Sequence, residues 1–442
     1  MGLAPERVMT STARPIVLLV LVALLVALAT PSPALAGCRK LCRQPIIACR
    51  QGCDQPERKA RRACRATCKR NLMAFCRASA EPACTLPNAC DGDSCSSATK
   101  WVTAYYTGYG QDMMPPSEID FASLTHLVHF SAVPRADGSL DTETDGLTAE
   151  HSAAVVAAAH AAGRKVLVTV GGADTRAGFA GAMSADRRGA FVTNVVALVI
   201  ERGYDGLDLD MEPIEPGDYA NYAAFTRDVR AALNTAGSGL LLTAAIQPDA
   251  RDLFLQLVDV FDQINIMTYN LSGPYPGWIT WHDAPLYDGS RTFDDGSPVP
   301  SADRIVRDFI DAGFPAGRLG IGVIDEVAIW HGATGPGQGI EGVTLEYKSY
   351  RDVLATLWTA ERERFDEGAG AAYLSVDLDG TANDLFVSYE NEATCTRKMD
   401  YVRTNRLGGV ILWDLGNGYL PDRPAGERNP LLRALADAAT AG

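Results

Sequence analysis

Residues 204–212 read Y-D-G-L-D-L-D-M-E. From Leu207 onward apolar and acidic residues alternate: Leu207, Leu209 and Met211 against Asp208, Asp210 and Glu212. A period of two belongs to a strand and not to a helix. The three carboxylates therefore share one face, and the three apolar side chains share the other. Like charges this close resist joint ionisation, so at least one proton is held or shared among them. Such an arrangement suits acid–base chemistry. Taken alone, the stretch also fits a calcium-binding or solvated acidic edge strand.

Outward from this strand, strand-like runs alternate with helical ones. Strands are expected at 102–106, 124–132, 166–170, the acidic stretch itself, 240–246, 262–269, 319–324 and 409–413. Helices are expected at 149–162, 188–202, 219–233, 301–311, 392–404 and 427–439. Repeated βα units argue for a parallel sheet. Eight of them over about 340 residues fit a closed (β/α)8 TIM barrel, with a doubly wound open sheet as the competing arrangement. In a barrel the site lies at the C-terminal strand ends. Polar and aromatic residues collect there: Tyr106, Ser131, Gly171-Gly172, Glu212, Gln247, Tyr269-Asn270 and Trp413-Asp414.

These motifs resemble the chitinase-like glycoside hydrolases of family 18. D-G-L-D-L-D-M-E at 205–212 is similar to that family's D-G-x-D-x-D-x-E signature on the fourth barrel strand. V-T-V-G-G at 168–172 resembles its S-x-G-G segment, M-T-Y at 267–269 its M-x-Y, A-P-L-Y at 284–287 a loop segment, and G-V-I-L-W at 409–413 its eighth strand. The resemblance covers roughly residues 101–440. It implies a retaining, substrate-assisted hydrolysis of β-1,4-linked N-acetylglucosamine polymers, chitin above all, with no cofactor and no metal. It makes Glu212 the general acid and later the base. Asp210 orients the acetamido group, Asp208 shares a proton or hydrogen bond with Asp210, and Tyr269 donates to the acetamido oxygen. Trp413 forms the floor beneath the sugar, Tyr106 borders it, and Asn270 and Gln247 lie beside it. Among the aromatics after the sixth strand, Trp278 and Trp281, with Tyr275 and Tyr287, are candidates for further subsites. Asp205 reads as structural.

The chain departs from the family pattern in two places. Asn270 stands where Asp is frequent, and Asp325-Glu326 replace a Tyr-Gly-Arg ending of the seventh strand. Residues 341–390, with an expected helix at 350–364 and strands at 371–376 and 385–389, read as a reduced α+β insertion.

The first hundred residues differ in kind. Arg7 and Arg14 precede an apolar run at 16–29, and Ala34-Leu35-Ala36 offers a cleavage site, so 1–37 reads as a secretory signal. L-A-G-C at 35–38 also resembles a bacterial lipoprotein box. Two outcomes follow: release near Ala36, or a lipidated Cys38 that attaches the protein to a membrane. The location is accordingly secreted or extracellular, or else an outer-surface or periplasmic lipoprotein. Ten of the 11 cysteines lie at 38–95. The pairs Cys38/Cys42, Cys49/Cys53 and Cys64/Cys68 repeat at a spacing of four, which fits a disulfide-stapled helical module over 38–96. Metal binding is the weaker reading, since the region has no histidine. The module is basic and fits either an anionic surface or a solvated face. A linker at 97–100 follows. The formal charge of −14 argues against nucleic-acid binding. Three functions remain in view: a chitinase, an endo-β-N-acetylglucosaminidase on glycans or peptidoglycan, and a non-hydrolytic chitin- or glycan-binding surface protein.

Overall fold

The computed structural model describes residues 100–440. The signal, the Cys38–Cys95 module and the lipidation candidate Cys38 lie outside the described residues. Eight parallel strands form a closed barrel, as the alternation of elements implies. Its first seven staves are β1 (Trp101–Thr107), β2 (His126–Pro134), β3 (Lys165–Gly172), β4 (Gly206–Met211), β5 (Leu241–Ile246), β6 (Gln263–Ile266) and β7 (Leu319–Ile324). Five strands of an insertion follow: β8 (Glu326–His331), β9 (Thr344–Ser349), β10 (Glu363–Asp366), β11 (Ala371–Val376) and β12 (Leu385–Tyr389). The last stave is β13 (Gly409–Trp413), which pairs with β7 on one side and β1 on the other. Strand β1 also pairs with β2, with Tyr105 opposite Val128, and this closes the ring.

Around the barrel lie α1 (Ala149–Ala161), α2 (Arg188–Arg202), α3 (Tyr219–Ala236), α4 (Ala302–Ala312), α5 (Glu392–Thr404) and α6 (Pro430–Thr440). Local chemistry sets their ends. The Thr148, Ser301 and Asn391 side chains accept first-turn backbone N–H groups of α1, α4 and α5. Helix α2 stops at Gly203, whose φ of 75° lies in the left-handed region.

Two apolar layers result. The outward faces of the staves, including Leu207, Leu209 and Met211, pack with the helices in the main core. The inward faces carry a second cluster of Tyr105, Val128, Phe130, Leu167, Ala245, Ile324 and Ile411. Asp208 and Asp210 face this interior, so the acidic strand is a central stave and not an edge.

The insertion is an antiparallel sheet of order β9-β8-β12-β11-β10. It begins at Glu326, earlier than the expected 341, because β8 follows β7 after the single residue Asp325. The expected helix at 350–364 is also shorter. It ends at Thr356, and Glu363–Asp366 pair with β11 instead. Cross-strand pairing with β11 overrides helical preference there.

Candidate active site

The C-terminal ends of the staves surround a cleft of about 550 Å³. At its base Asp208 is fully buried, and hydroxyls from three other strands satisfy it. Tyr105 on β1 donates to Oδ2 at 3.0 Å and Thr169 on β3 to the same oxygen at 3.2 Å. Thr243 on β5 donates to Oδ1 at 2.6 Å. Burial raises the Asp208 pKa, and these hydroxyls pull it back down.

Asp210, one pleat higher, is buried too, and its Oδ1 has no hydrogen-bond partner. Burial first, then the charges of Glu212 and Asp208, push its pKa well above the usual carboxylate range. Of the coupled pair, Asp210 therefore holds a proton more readily than Glu212. Glu212 stands at the rim. Gln247 Nε2 donates to its Oε2 at 3.3 Å. Burial and the Asp174 charge raise its pKa, and the Gln247 contact opposes them. The expected sharing between Asp208 and Asp210 is not what satisfies Asp208, since its hydrogen bonds come from Tyr105, Thr169 and Thr243.

The close fit of β3 to β4 depends on glycine. Gly171 has φ 125°, and a Cβ there would lie 1.9 Å from the Asp210 carbonyl oxygen. Across the cleft Tyr269, Met267, Asn270 and Trp413 complete the lining. Tyr269 is almost fully buried, and burial and the three carboxylates keep its hydroxyl protonated. Trp413 packs edge-on against Tyr105 and Phe130, with ring centroids 5.5 and 4.7 Å away. It presents an apolar surface beside a row of acids.

Six of the ten expected side chains thus share this place: Asp210, Glu212, Tyr269, Asn270 and Trp413 as lining, and Gln247 through Glu212. Asp208 supports them from beneath. Asp205 lies at the other end of the strand. It pairs with Lys165 at 2.8 Å and His160 at 2.9 Å and accepts the Val166 N–H, a structural role as expected.

Three expected residues lie elsewhere. Tyr106 faces outward into the helix layer, and its hydroxyl donates to the Met114 carbonyl. Trp281 is fully buried with Val299 and Ala369, its Nε1 donating to the Pro300 carbonyl at 3.0 Å. Trp278 packs against Tyr275 and Phe293, and it is not among the residues that line the cleft.

Sequence reasoning missed Tyr105, Phe130, Asp145 and Asp174 in the lining. The signal for Tyr105 is the polar parity of β1. Thr103 and Tyr105 face in, toward Gln263 and Asp208, while Val102, Ala104 and Tyr106 join the outer core.

Among curated proteins, chitinase A1 of Niallia circulans is 27% identical over 320 residues, covering 63% of this chain and 43% of that protein. Chitinase 1 of Aphanocladium album is 25% identical over 351 residues, covering 70% and 80%. The barrel also superposes, with a TM-score of 0.65 at 21% identity, on a mutant family 18 chitinase of Cycas revoluta in complex with (GlcNAc)4, covering 76% of this chain and 99% of that one. Residues 102–418 match the model of the glycosyl hydrolases family 18, and the chain belongs to that family.

Proposed function

We propose that the protein is an exported chitinase that cleaves β-1,4 linkages between N-acetylglucosamine units with retention of configuration. The bare Oδ1 of Asp210, buried in the cleft between Asp208 and Glu212, carries this reading. A buried polar atom without a partner is costly, and a ligand group that pairs with it recovers that cost. The N–H of a substrate acetamido group is such a partner.

In this mechanism the proton that Asp210 holds at rest passes to Glu212 as the substrate acetamido group engages Asp210, and Glu212 gives it to the leaving glycosidic oxygen. The acetamido oxygen of the same sugar attacks the anomeric carbon, forming the ring oxygen–carbon bond of an oxazolinium ion as the glycosidic bond breaks. Asp210 accepts the acetamido N–H and stabilises the positive charge. Tyr269 donates to the acetamido oxygen and fixes its direction of attack. Trp413 supports the pyranose ring. Glu212, now ionised, takes a proton from water, which opens the oxazolinium from the same face as the leaving group departed. No step calls for a metal or a cofactor.

The endo-β-N-acetylglucosaminidase and the non-hydrolytic binder share this lining and differ in turnover and in what the cleft admits. Offering chito-oligosaccharides, glycoprotein glycans and peptidoglycan side by side separates the three. Chitinase activity requires release from chito-oligosaccharides, together with a loss of about 10²–10⁴-fold in rate for Glu212→Gln while binding persists. Wild-type protein inactive on every N-acetylated glycan would refute the proposal. Intact mass of the mature protein tests export: a chain starting near Gly37 indicates cleavage and release, and a diacylglycerol mass on Cys38 indicates a lipoprotein.

A further inference from the structure

The mechanism asks the Tyr269 hydroxyl to point at one atom, the acetamido oxygen. The hydroxyl itself has no hydrogen-bond partner among the described residues. Its direction is therefore set by the ring and by the backbone on either side. Before Tyr269 the chain is pinned to β7: the Thr268 hydroxyl donates to the Gly322 carbonyl at 3.1 Å and accepts the Gly322 N–H at 2.9 Å. The Tyr269 ring lies against the same glycine, where a Cβ would come within 2.5 Å of a ring carbon.

After Tyr269 the chain leaves the barrel at Asn270, an exposed residue at φ 52°. An Asn tolerates the left-handed region, and a turn of that kind persists where the surroundings fix it. Asp283, buried in the loop after β6, is the fixture. Its Oδ2 accepts the Asn270 N–H at 3.2 Å, and its carbonyl accepts the Leu271 N–H at 2.9 Å. Its Oδ1 accepts the Tyr347 hydroxyl of β9 at 3.2 Å, and its N–H donates to Ser388 Oγ of β12 at 3.0 Å. The residues that follow Tyr269 are thus tied through one carboxylate to two strands of the insertion. Burial raises the Asp283 pKa to about 6; the Asn270 N–H, the Tyr347 hydroxyl and the Lys398 charge oppose the rise, and Glu390 adds to it. Neither Asp283 nor Tyr347 lines the cleft.

Resting on the chitinase reading, we propose that Asp283 and Tyr347 are positioning residues for the reaction, which fix the turn at Asn270 and through it the direction of the Tyr269 hydroxyl. Neither touches the sugar. The insertion contributes to the rate from outside the cleft, by holding the far side of the Tyr269 segment as β7 holds the near side.

The test measures kcat and KM on one chito-oligosaccharide across two double-mutant cycles. Asp283→Ala removes both acceptor oxygens and should lower kcat about tenfold with KM little changed, because a displacement of an orienting group by less than about 1 Å is enough for such a loss. Tyr347→Phe removes one hydroxyl from an exposed ring and should lower kcat about threefold; it decides the question if Asp283→Ala does not fold. Asp283→Asn offers one acceptor and one donor, and the Tyr347 hydroxyl can accept as well as donate, so this variant should recover most of the loss. In a Tyr269→Phe background neither Asp283→Ala nor Tyr347→Phe should cost more than about a further twofold, since the group they direct is gone. A kcat left at the wild-type level in Tyr347→Phe, a change confined to KM, or losses that multiply in full on Tyr269→Phe would overturn the proposal. A wild type that turns over no chito-oligosaccharide would overturn the chitinase reading beneath it, so wild-type turnover tells the two failures apart.

Discussion

Replacing Tyr105 with Phe removes one atom from the base of the cleft. The ring stays, so its contacts with Trp413 and Phe130 stay. What is lost is the 3.0 Å hydrogen bond to Asp208 Oδ2, one of three that hold this fully buried carboxylate. A hydrogen bond to a buried charged group contributes about 1.5–3 kcal/mol, a neutral one about 0.5–1.5 kcal/mol. The hydroxyl therefore favours the ionised form of Asp208 over the protonated form by about 1 kcal/mol or more. Removing it raises the Asp208 pKa further. The sign follows from linkage. Asp208 is already raised in the folded protein by burial, so its contribution to stability is full below the unfolded pKa and fades as pH rises through the folded one. Tyr105→Phe lengthens that decline. Urea unfolding should show a loss of about 1.5–3 kcal/mol at pH 7 and about 1 kcal/mol near pH 3, and the acid limb of kcat against pH should move upward. Equal losses at the two pH values with an unmoved acid limb would refute the idea that Tyr105 serves the charge on Asp208.

Two other substitutions address the electrostatics and the frame. Asn270→Asp adds a carboxylate to the cleft lining; it should raise the Glu212 pKa and shift the alkaline limb of kcat/KM toward higher pH, a shift visible in the rate profile of any hydrolysed chito-oligosaccharide. Lys398→Met leaves the buried Glu390 without its ion-pair partner and should cost about 3–5 kcal/mol in urea unfolding, with Glu390→Gln in the same chain recovering part of it.

Much of this molecule is written in local patterns. Helices α2 and α5 begin and end where apolar spacing, Gly203 and Asn391 indicate. The carboxylate row needs only its alternation to be recognised. The less legible parts depend on which of two buried faces a residue takes. A barrel stave is covered on both sides, so hydrophobicity alone does not choose between Tyr105 and Tyr106. A shift of one residue exchanges the interior for the helix layer. Trp281 carries no local mark either. It is buried because the loop after β6 folds Ile279 and Phe293 around it and meets Ala369 of the insertion. Asp145 and Asp174 sit in connecting segments, where no periodicity points to a cleft.

The insertion is fastened at both ends. Asp325, the one residue between β7 and β8, donates its backbone N–H to Trp413 and accepts that of Tyr350. At the far end Glu390 is buried against Lys398 of α5. A body fastened at both ends is held against the barrel, and none of its residues is among those lining the cleft, so filling the cleft should not require it to move. Turnover should be governed by bond cleavage and by the escape of the product sugars, with no separate opening step to slow it.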